Sequence, residues 1–234
     1  MSTINKDYPR GAANLWLERR RTVPEDAPRF ARNNDGVEYQ PYDFTVSYPD
    51  VRSLLMAIQL LGEDIVGAEV GLYRGESFCT ILQVCKNVKT LYGIDPWMMY
   101  HDTIGGGDGM RISPKEIDLV REMCLHYVTW SGEQDRAEII ETDSAKGAEM
   151  FDEGSLDFVF IDSYISREDV VEHMSDWYSK VKTGGLFCGH DYGCAPVFEG
   201  VEQFRQLYGI TTPISHYDDC WAWIKQQGED NATE

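Results

Sequence analysis

The sequence predicts an α/β chain: a doubly wound, mostly parallel sheet with helices on both faces and an antiparallel pair at its C-terminal edge. Three observations carry this expectation. Short apolar runs recur, and several close on an acidic residue, as at Ile65–Val70 and Leu156–Ile161 followed by Asp162. Between them lie segments whose apolar residues repeat at helical spacing. The last two runs, Pro213–His216 and Cys220–Ile224, leave almost no room for a crossover and so must pair antiparallel. Strands alternating with helices imply parallel neighbours joined by right-handed crossovers.

Taken in order, residues 1–45 are polar, carry Pro9, Pro24, Pro28 and Pro41, and read as an arm or lid with a short helix near Leu15. The main domain is expected over 46–228, with an acidic tail at 229–234. Its first helix spans Ser53–Leu61, with Leu54, Leu55, Ile58 and Leu61 on one face. The first strand is Ile65–Val70, then a helix over Ser77–Cys85 and a second strand over Thr90–Ile94. Residues 96–109 are irregular. The run Gly105-Gly106-Gly107-Asp108-Gly109 holds neither helix nor strand and suits a mobile loop. A helix over Pro114–Val128 precedes a third strand, Ala137–Glu141, and a short helix, Ser144–Phe151. The fourth strand, Leu156–Ile161, is followed by a helix over Glu168–Val181. Gly184-Gly185 turns the chain into a fifth strand, Leu186–Gly189, and Val197–Tyr208 is helical.

Composition narrows the function. The chain has 234 residues, enough for one domain with a sizeable core. No apolar run approaches the roughly 18 residues of a membrane helix. The polar N-terminus lacks an apolar signal core, so a cytoplasmic protein without a membrane partner is expected. Six cysteines, none in a Cys-x-x-Cys pair, read as reduced thiols. The net charge is −19. An acidic body argues against nucleic acid, because phosphate backbones need basic surfaces. Residues 1–32 hold seven basic side chains against four acidic, including Arg19-Arg20-Arg21, Arg29 and Arg32. A nucleic-acid arm is one reading; the favoured one is a segment folded on an acidic face of its own or, in a homo-oligomer, of a neighbouring subunit.

The candidate site is the carboxyl edge of the sheet, where an open α/β fold binds ligands. Four strands end near an acid: Glu69, Asp95, Asp143 and Asp162. Asp95 suits two ribose hydroxyls, and Asp143 with the Ser144 backbone suits an adenine edge. Glu69 suits a cationic amino group or a water, and Gly71 and Gly75 let the backbone approach a ligand closely. For each of these residues a surface or capping role is the competing reading. A nicotinamide dinucleotide wants Gly-x-Gly-x-x-Gly. Here the pattern is Glu69-x-Gly71-x-x-x-Gly75, with Tyr73 and Arg74 between the glycines and Glu76 placed to repel pyrophosphate. A cationic sulfonium nucleoside tolerates acidic walls.

Several motifs point the same way. Glu69-Val70-Gly71-Leu72-Tyr73-Arg74-Gly75-Glu76-Ser77 is followed by Gly93-Ile94-Asp95-Pro96-Trp97, Asp143-Ser144, Phe160-Ile161-Asp162, Lys182-Thr183-Gly184-Gly185 and Gly189-His190-Asp191-Tyr192. In order and spacing, over roughly residues 43–226, the chain resembles the class I S-adenosylmethionine-dependent methyltransferases, in their small-molecule O-methyltransferase-like branch. The resemblance implies a seven-stranded Rossmann-like sheet. It implies that Glu69, Gly71, Asp95 and Asp143 bind S-adenosylmethionine, with Tyr73 and Ser77 near its methionine end and Trp97 near the adenosine; Gly75, Ser144 and Asp162 complete the candidate cofactor site.

Asp162, His190 and Asp191 are the chemical candidates, at the ends of adjacent strands. Some relatives bind a divalent cation with such residues, and oxygen-rich sites suit Mg2+ or another divalent cation such as Ca2+. A cation would acidify a substrate hydroxyl. His190 is alternatively the general base, its tautomer fixed by the neighbouring carboxylate. The bland reading makes His190-Asp191-Tyr192 a strand exit satisfying loop amides. Relatives often read Ile-Asp-Gly-Asp-His-Ser-Tyr-Glu after the fourth strand, where this chain has Tyr164 and Ile165 in place of the second Asp and the His. His101-Asp102 reads as a solvated loop, Cys188 and Cys194 as thiols outside any zinc pattern, and Trp177, Tyr178 and Phe204 as core.

The expected function is methyl transfer to a small-molecule hydroxyl on a sugar, polyketide or related metabolite. The alternatives are an NAD-dependent oxidoreductase and a non-catalytic binding protein on the same fold.

Overall fold

The computed structural model describes residues 30–31, 38–39, 51–98, 114–163 and 166–229. The chain divides into two compact units, Met1–Phe44 and Thr45–Glu234. In the first, strands β1 (Phe30–Ala31) and β2 (Glu38–Tyr39) pair antiparallel. Apart from these two pairs, the expected arm, including the Leu15 helix and the whole arginine cluster, lies outside the described residues. So do His101, Asp102, the Gly105–Gly109 run, Tyr164 and Ile165.

The second unit holds α1 (Arg52–Gln59), β3 (Ile65–Val70), α2 (Glu76–Val84), β4 (Val88–Ile94), α3 (Pro114–Ser131), β5 (Ala137–Ile140), α4 (Ser144–Glu149), β6 (Leu156–Ile161), α5 (Arg167–Tyr178), β7 (Val181–Gly189), α6 (Ala195–Leu207), β8 (Ser215–Tyr217) and β9 (Cys220–Ile224). The seven strands β3–β9 form one sheet in the order β5-β4-β3-β6-β7-β9-β8. Neighbours from β5 to β7 are parallel, and β9 runs antiparallel to both β7 and β8. This is the Rossmann-like arrangement with its C-terminal antiparallel pair. The strand order reverses between β3 and β6, the place where open α/β sheets open a crevice.

β3 and β6 match the apolar runs residue for residue, because strands covered on both faces read as continuous hydrophobic segments. One face of the sheet packs Ala148, Met174, Trp177, Tyr178, Val201 and Phe204 against Val159, Phe187, Trp221 and Trp223. Trp177, Tyr178 and Phe204 are fully buried, as expected. Each side chain of this size buries roughly 150–250 Å² and dominates the core energetics. α5 starts cleanly: Ser166 accepts from the Asp169 N–H, and the Asp169 carboxylate accepts from the Ser166 N–H, a reciprocal capping box.

Two expectations change. The helix expected to run to Val181 ends at Tyr178, and Val181 already opens β7. Gly184-Gly185 is an irregularity inside β7 rather than a turn before it. Leu156 pairs with Val181 and Phe158 with Leu186, so the extra β7 residues loop out of the ladder, with Gly184 at a φ of 83°. Glu229, first residue of the expected acidic tail, accepts from the Tyr178 and Thr212 hydroxyls and the Gln226 N–H, so it is anchored to the body. Among the described residues no helix is long and apolar enough to cross a membrane.

Candidate functional site

The carboxyl edge of the sheet brings the predicted acids to one side, but they do different work. Glu69, on β3, is fully buried. Its Oε1 accepts from the Ser77 hydroxyl at 2.5 Å, whereas Oε2 has no partner among the described residues. Burial holds its pKa well above the usual carboxylate range; the Ser77 bond opposes this, and the charges of Asp162 and Asp95 add to it.

Beyond Glu69 the chain turns through Gly71 and Gly75, with φ of 91° and 77°, and Tyr73 is also left-handed at 49°. A Cβ on Gly71 would lie 2.3 Å from the Asp162 carbonyl oxygen, and one on Gly75 2.7 Å from the Cys124 Sγ. Both glycines are therefore required by the chain's own packing, a reason distinct from the expected close approach of a ligand. Glu76 is paired with Arg74 at 2.9 Å. Its charge is locally balanced, which removes part of the case against pyrophosphate that the bare sequence supplied.

Asp95 closes β4 and latches this turn. Its Oδ2 accepts from the Leu72 and Tyr73 N–H groups at 2.8 and 2.9 Å, and Oδ1 from the Trp97 N–H at 2.7 Å. The Trp97 indole returns a bond to the Tyr73 carbonyl at 2.9 Å. Burial raises the Asp95 pKa, and the three amides pull against it. A carboxylate has about four acceptor positions, so roughly one remains for a ligand.

Asp143 and Ser144 are also engaged. Asp143 caps α4, accepting from the Lys146 N–H at 3.0 Å and pairing with the Lys146 ammonium at 2.7 Å, which lowers its pKa. The Ser144 hydroxyl accepts from the buried Trp177 indole at 3.0 Å.

At the ends of β6 and β7 the backbones are tied, the Asp162 N–H to Val70 at 2.8 Å and the His190 N–H to Ile161 at 3.1 Å. This brings Asp162, His190 and Asp191 together, with one ligand atom from each lying within 4.8 Å of the others. The His190 Nδ1 is 3.3 Å from an Asp191 oxygen and 3.6 Å from an Asp162 oxygen. Burial lifts the Asp162 pKa to about 6; the His190 charge opposes this, and Asp191, Glu76 and Asp219 reinforce it. Burial alone would lower His190, but the Asp191 hydrogen bond and the fields of Asp162, Asp191 and Asp219 raise it to about 9. An imidazolium at neutral pH has no free lone pair, so His190 in this state is no general base. Two carboxylates suit a hard divalent cation such as Mg2+, and the imidazole, once its proton is displaced, adds a nitrogen ligand of the kind borderline ions such as Zn2+ take.

Sequence reasoning missed two participants. Asp219, on the β8–β9 turn, adds its field to Asp162 and His190 and binds the segment after Asp191. The His173 Nδ1 sits 3.0 Å from both the hydroxyl and the carbonyl oxygen of Ser163, beside Asp162. Asp219 lies in a short polar turn and His173 in a charged helical stretch, and no motif or spacing in the sequence singles either out. Cys188 is a buried core thiol whose Sγ donates to the Val159 carbonyl.

A family model described as a methyltransferase domain matches residues 68–192, more than half of the chain. The chain belongs to this methyltransferase family. The matched span of the methyltransferase holds Glu69, Asp95, Asp143, Asp162, His190 and Asp191, and stops short of Asp219. The membership sets aside the nicotinamide reading. No curated protein sequence matches significantly. Among solved structures, the O-methyltransferase NovP is similar at a TM-score of 0.56 and 17% identity, over 76% of this chain and 80% of NovP. TomG, an O-methyltransferase from Streptomyces achromogenes solved with S-adenosylmethionine, is similar at 0.56 and 14%, over 79% of this chain and 83% of TomG. An S-adenosylmethionine-dependent O-methyltransferase from Thermotoga maritima is similar at 0.53 and 14%, over 76% of this chain and 64% of that one. At such identity the likeness is one of fold, that of the class I S-adenosylmethionine-dependent methyltransferases.

Proposed function

We propose that this methyltransferase acts on a hydroxyl of a small molecule, on a sugar, polyketide or related metabolite, with a divalent cation such as Mg2+ held by Asp162, His190 and Asp191. The observation that carries the reading is the contact between Gly71 and the Asp162 carbonyl, which sets the Asp162-His190-Asp191 cluster directly against the Glu69–Ser77 turn. S-adenosylmethionine supplies an already activated methyl group. Glu69, with its unpartnered oxygen, receives the cationic amino group, and Asp95 receives one ribose hydroxyl beside its three amides. Tyr73, Gly75 and Ser77 border the methionine end, Trp97 the adenosine, and Asp143 and Ser144 the adenine edge through their backbone, since their side chains are committed elsewhere.

Most of the rate comes from holding the acceptor in line with the methyl group. A cation on the cluster supplies acidification of the acceptor hydroxyl. Without a cation, Asp162, raised by burial to about 6, would itself be ionised at neutral pH and placed to accept that proton. The acidic surroundings favour neutral or cationic acceptors over phosphorylated ones. Transfer of labelled methyl to a panel of hydroxylated metabolites, with Mg2+ and with chelator, tests the reading. Activity that survives chelation removes the cation. Absence of transfer to every acceptor, with S-adenosylhomocysteine still bound, favours a non-catalytic binding protein.

A further inference from the structure

The turn between β8 and β9 reaches back to the end of β7. The Asp219 carbonyl accepts from the Tyr192 N–H at 3.0 Å, and the Asp219 Oδ1 accepts from the Gly193 N–H at 2.7 Å. The approach is close: a Cβ on Gly193 would lie 2.9 Å from that Oδ1. On the near side the Cys194 N–H returns to the Asp191 carbonyl at 2.8 Å. The residue caught between these bonds is Asp191, with a φ of 58°. Asp enters this left-handed region more readily than most non-glycine residues; what is particular here is that hydrogen bonds hold the chain on both sides of it. In that conformation the Asp191 carboxylate lies 3.3 Å from the His190 Nδ1.

We propose that Asp219 is a positioning residue: by holding Tyr192 and Gly193 it fixes the left-handed Asp191 and so sets its carboxylate against His190. The role deepens the reading above and rests on Asp162, His190 and Asp191 being the chemical centre. Groups that orient a reactive carboxylate or imidazole from behind commonly matter about 10- to 100-fold to metal affinity or activity. Asp219 comes from an element 26 residues beyond Gly193, and it acts through the antiparallel pairing that brings β9 onto β7.

The test reads His190 directly. Its Nδ1 and Nε2 nitrogen shifts are followed through the ring C–H protons in protein labelled with 15N-histidine, and assigned by their loss in His190→Gln. Asp219→Ala is expected to move the Nδ1 shift. Asp219→Asn, whose side-chain carbonyl still accepts from Gly193, is expected to restore it. Gly193→Ala displaces Oδ1 with the Asp219 charge intact and is expected to reproduce the Asp219→Ala shift. It also carries the test if Asp219→Ala fails to fold by circular dichroism. Unmoved shifts in folded Asp219→Ala and Gly193→Ala overturn the proposal. So does an Asp219→Asn shift equal to that of Asp219→Ala, because charge rather than placement would then be the cause. Titration with Mn2+ separates this role from the functional reading. Binding by the wild type that weakens about 10-fold or more in Asp219→Ala supports both. No wild-type binding, with the His190 shifts moving as described, overturns the cation and keeps the positioning role.

Discussion

Asp95 and Asp162 end strands that flank β3, and burial raises the pKa of both, yet they are satisfied in different ways. Asp95 is compensated by three backbone amides, Asp162 by the charge of one histidine set among further carboxylates. Amides cannot leave or titrate, so Asp95 works as a fixed latch on the turn that precedes α2. A histidine's proton can be exchanged for a cation or handed on, so Asp162 sits where chemistry is available. On the proposed function, the two ends of the crevice divide the labour between holding and reacting.

The largest test of that division is Asp162→Asn. It is expected to cut methyl transfer by about a hundredfold or more, the range for removing an acid–base group, while S-adenosylhomocysteine affinity stays within a few fold. Unchanged turnover would place the chemistry elsewhere. Asp95→Asn reverses the pattern. Its amide must turn a donor toward either the Trp97 N–H or the Leu72 and Tyr73 pair, at a cost of about 1–3 kcal/mol in urea unfolding, with weaker cofactor binding. A variant as stable as the wild type would mean the latch is not held by Asp95. Asp143→Ala is smaller, with about 1 kcal/mol lost from the α4 cap and little change in transfer rate. A large loss of cofactor affinity there would restore Asp143 to a direct binding role.

Glu69→Gln sharpens the comparison by sign. The folded pKa of Glu69 is raised, so its contribution to stability is present below the unfolded pKa and lost as pH rises through the folded value. Without cofactor, the variant is expected to be more stable than the wild type at pH 8. The advantage should shrink as pH falls and Glu69 takes up its proton, as urea midpoints across pH would record. A constant difference across that range would show that Glu69 ionises freely in the folded protein. The same variant is expected to bind S-adenosylmethionine more weakly if the unpartnered Glu69 Oε2 receives the amino group as proposed.

Much of the fold was legible because burial on both faces writes β3 and β6 as continuous apolar runs, and the short gap before Cys220 leaves β8 and β9 only an antiparallel pairing. β7 was read short because Gly184-Gly185 has the same local appearance in a bulge as in a turn, and only the ladder from Leu156 to Phe158 distinguishes them. The meeting of Asp162 with His190-Asp191 was also legible, since they end strands that the alternation makes neighbours.

What the sequence determined by itself is therefore the sheet, its carboxyl edge and the identity of the acids along it, since all three follow from periodicity and from the ends of apolar runs. The tertiary structure decided what each acid does. It committed Asp95 to amides, Asp143 to a helix cap and Glu76 to Arg74, and it brought Asp219 from the last hairpin to the segment behind Asp191. The reason is physical. A carboxylate's role is set by which donors and charges surround it in a poorly solvated crevice, and those partners come from chain segments whose proximity no local pattern records.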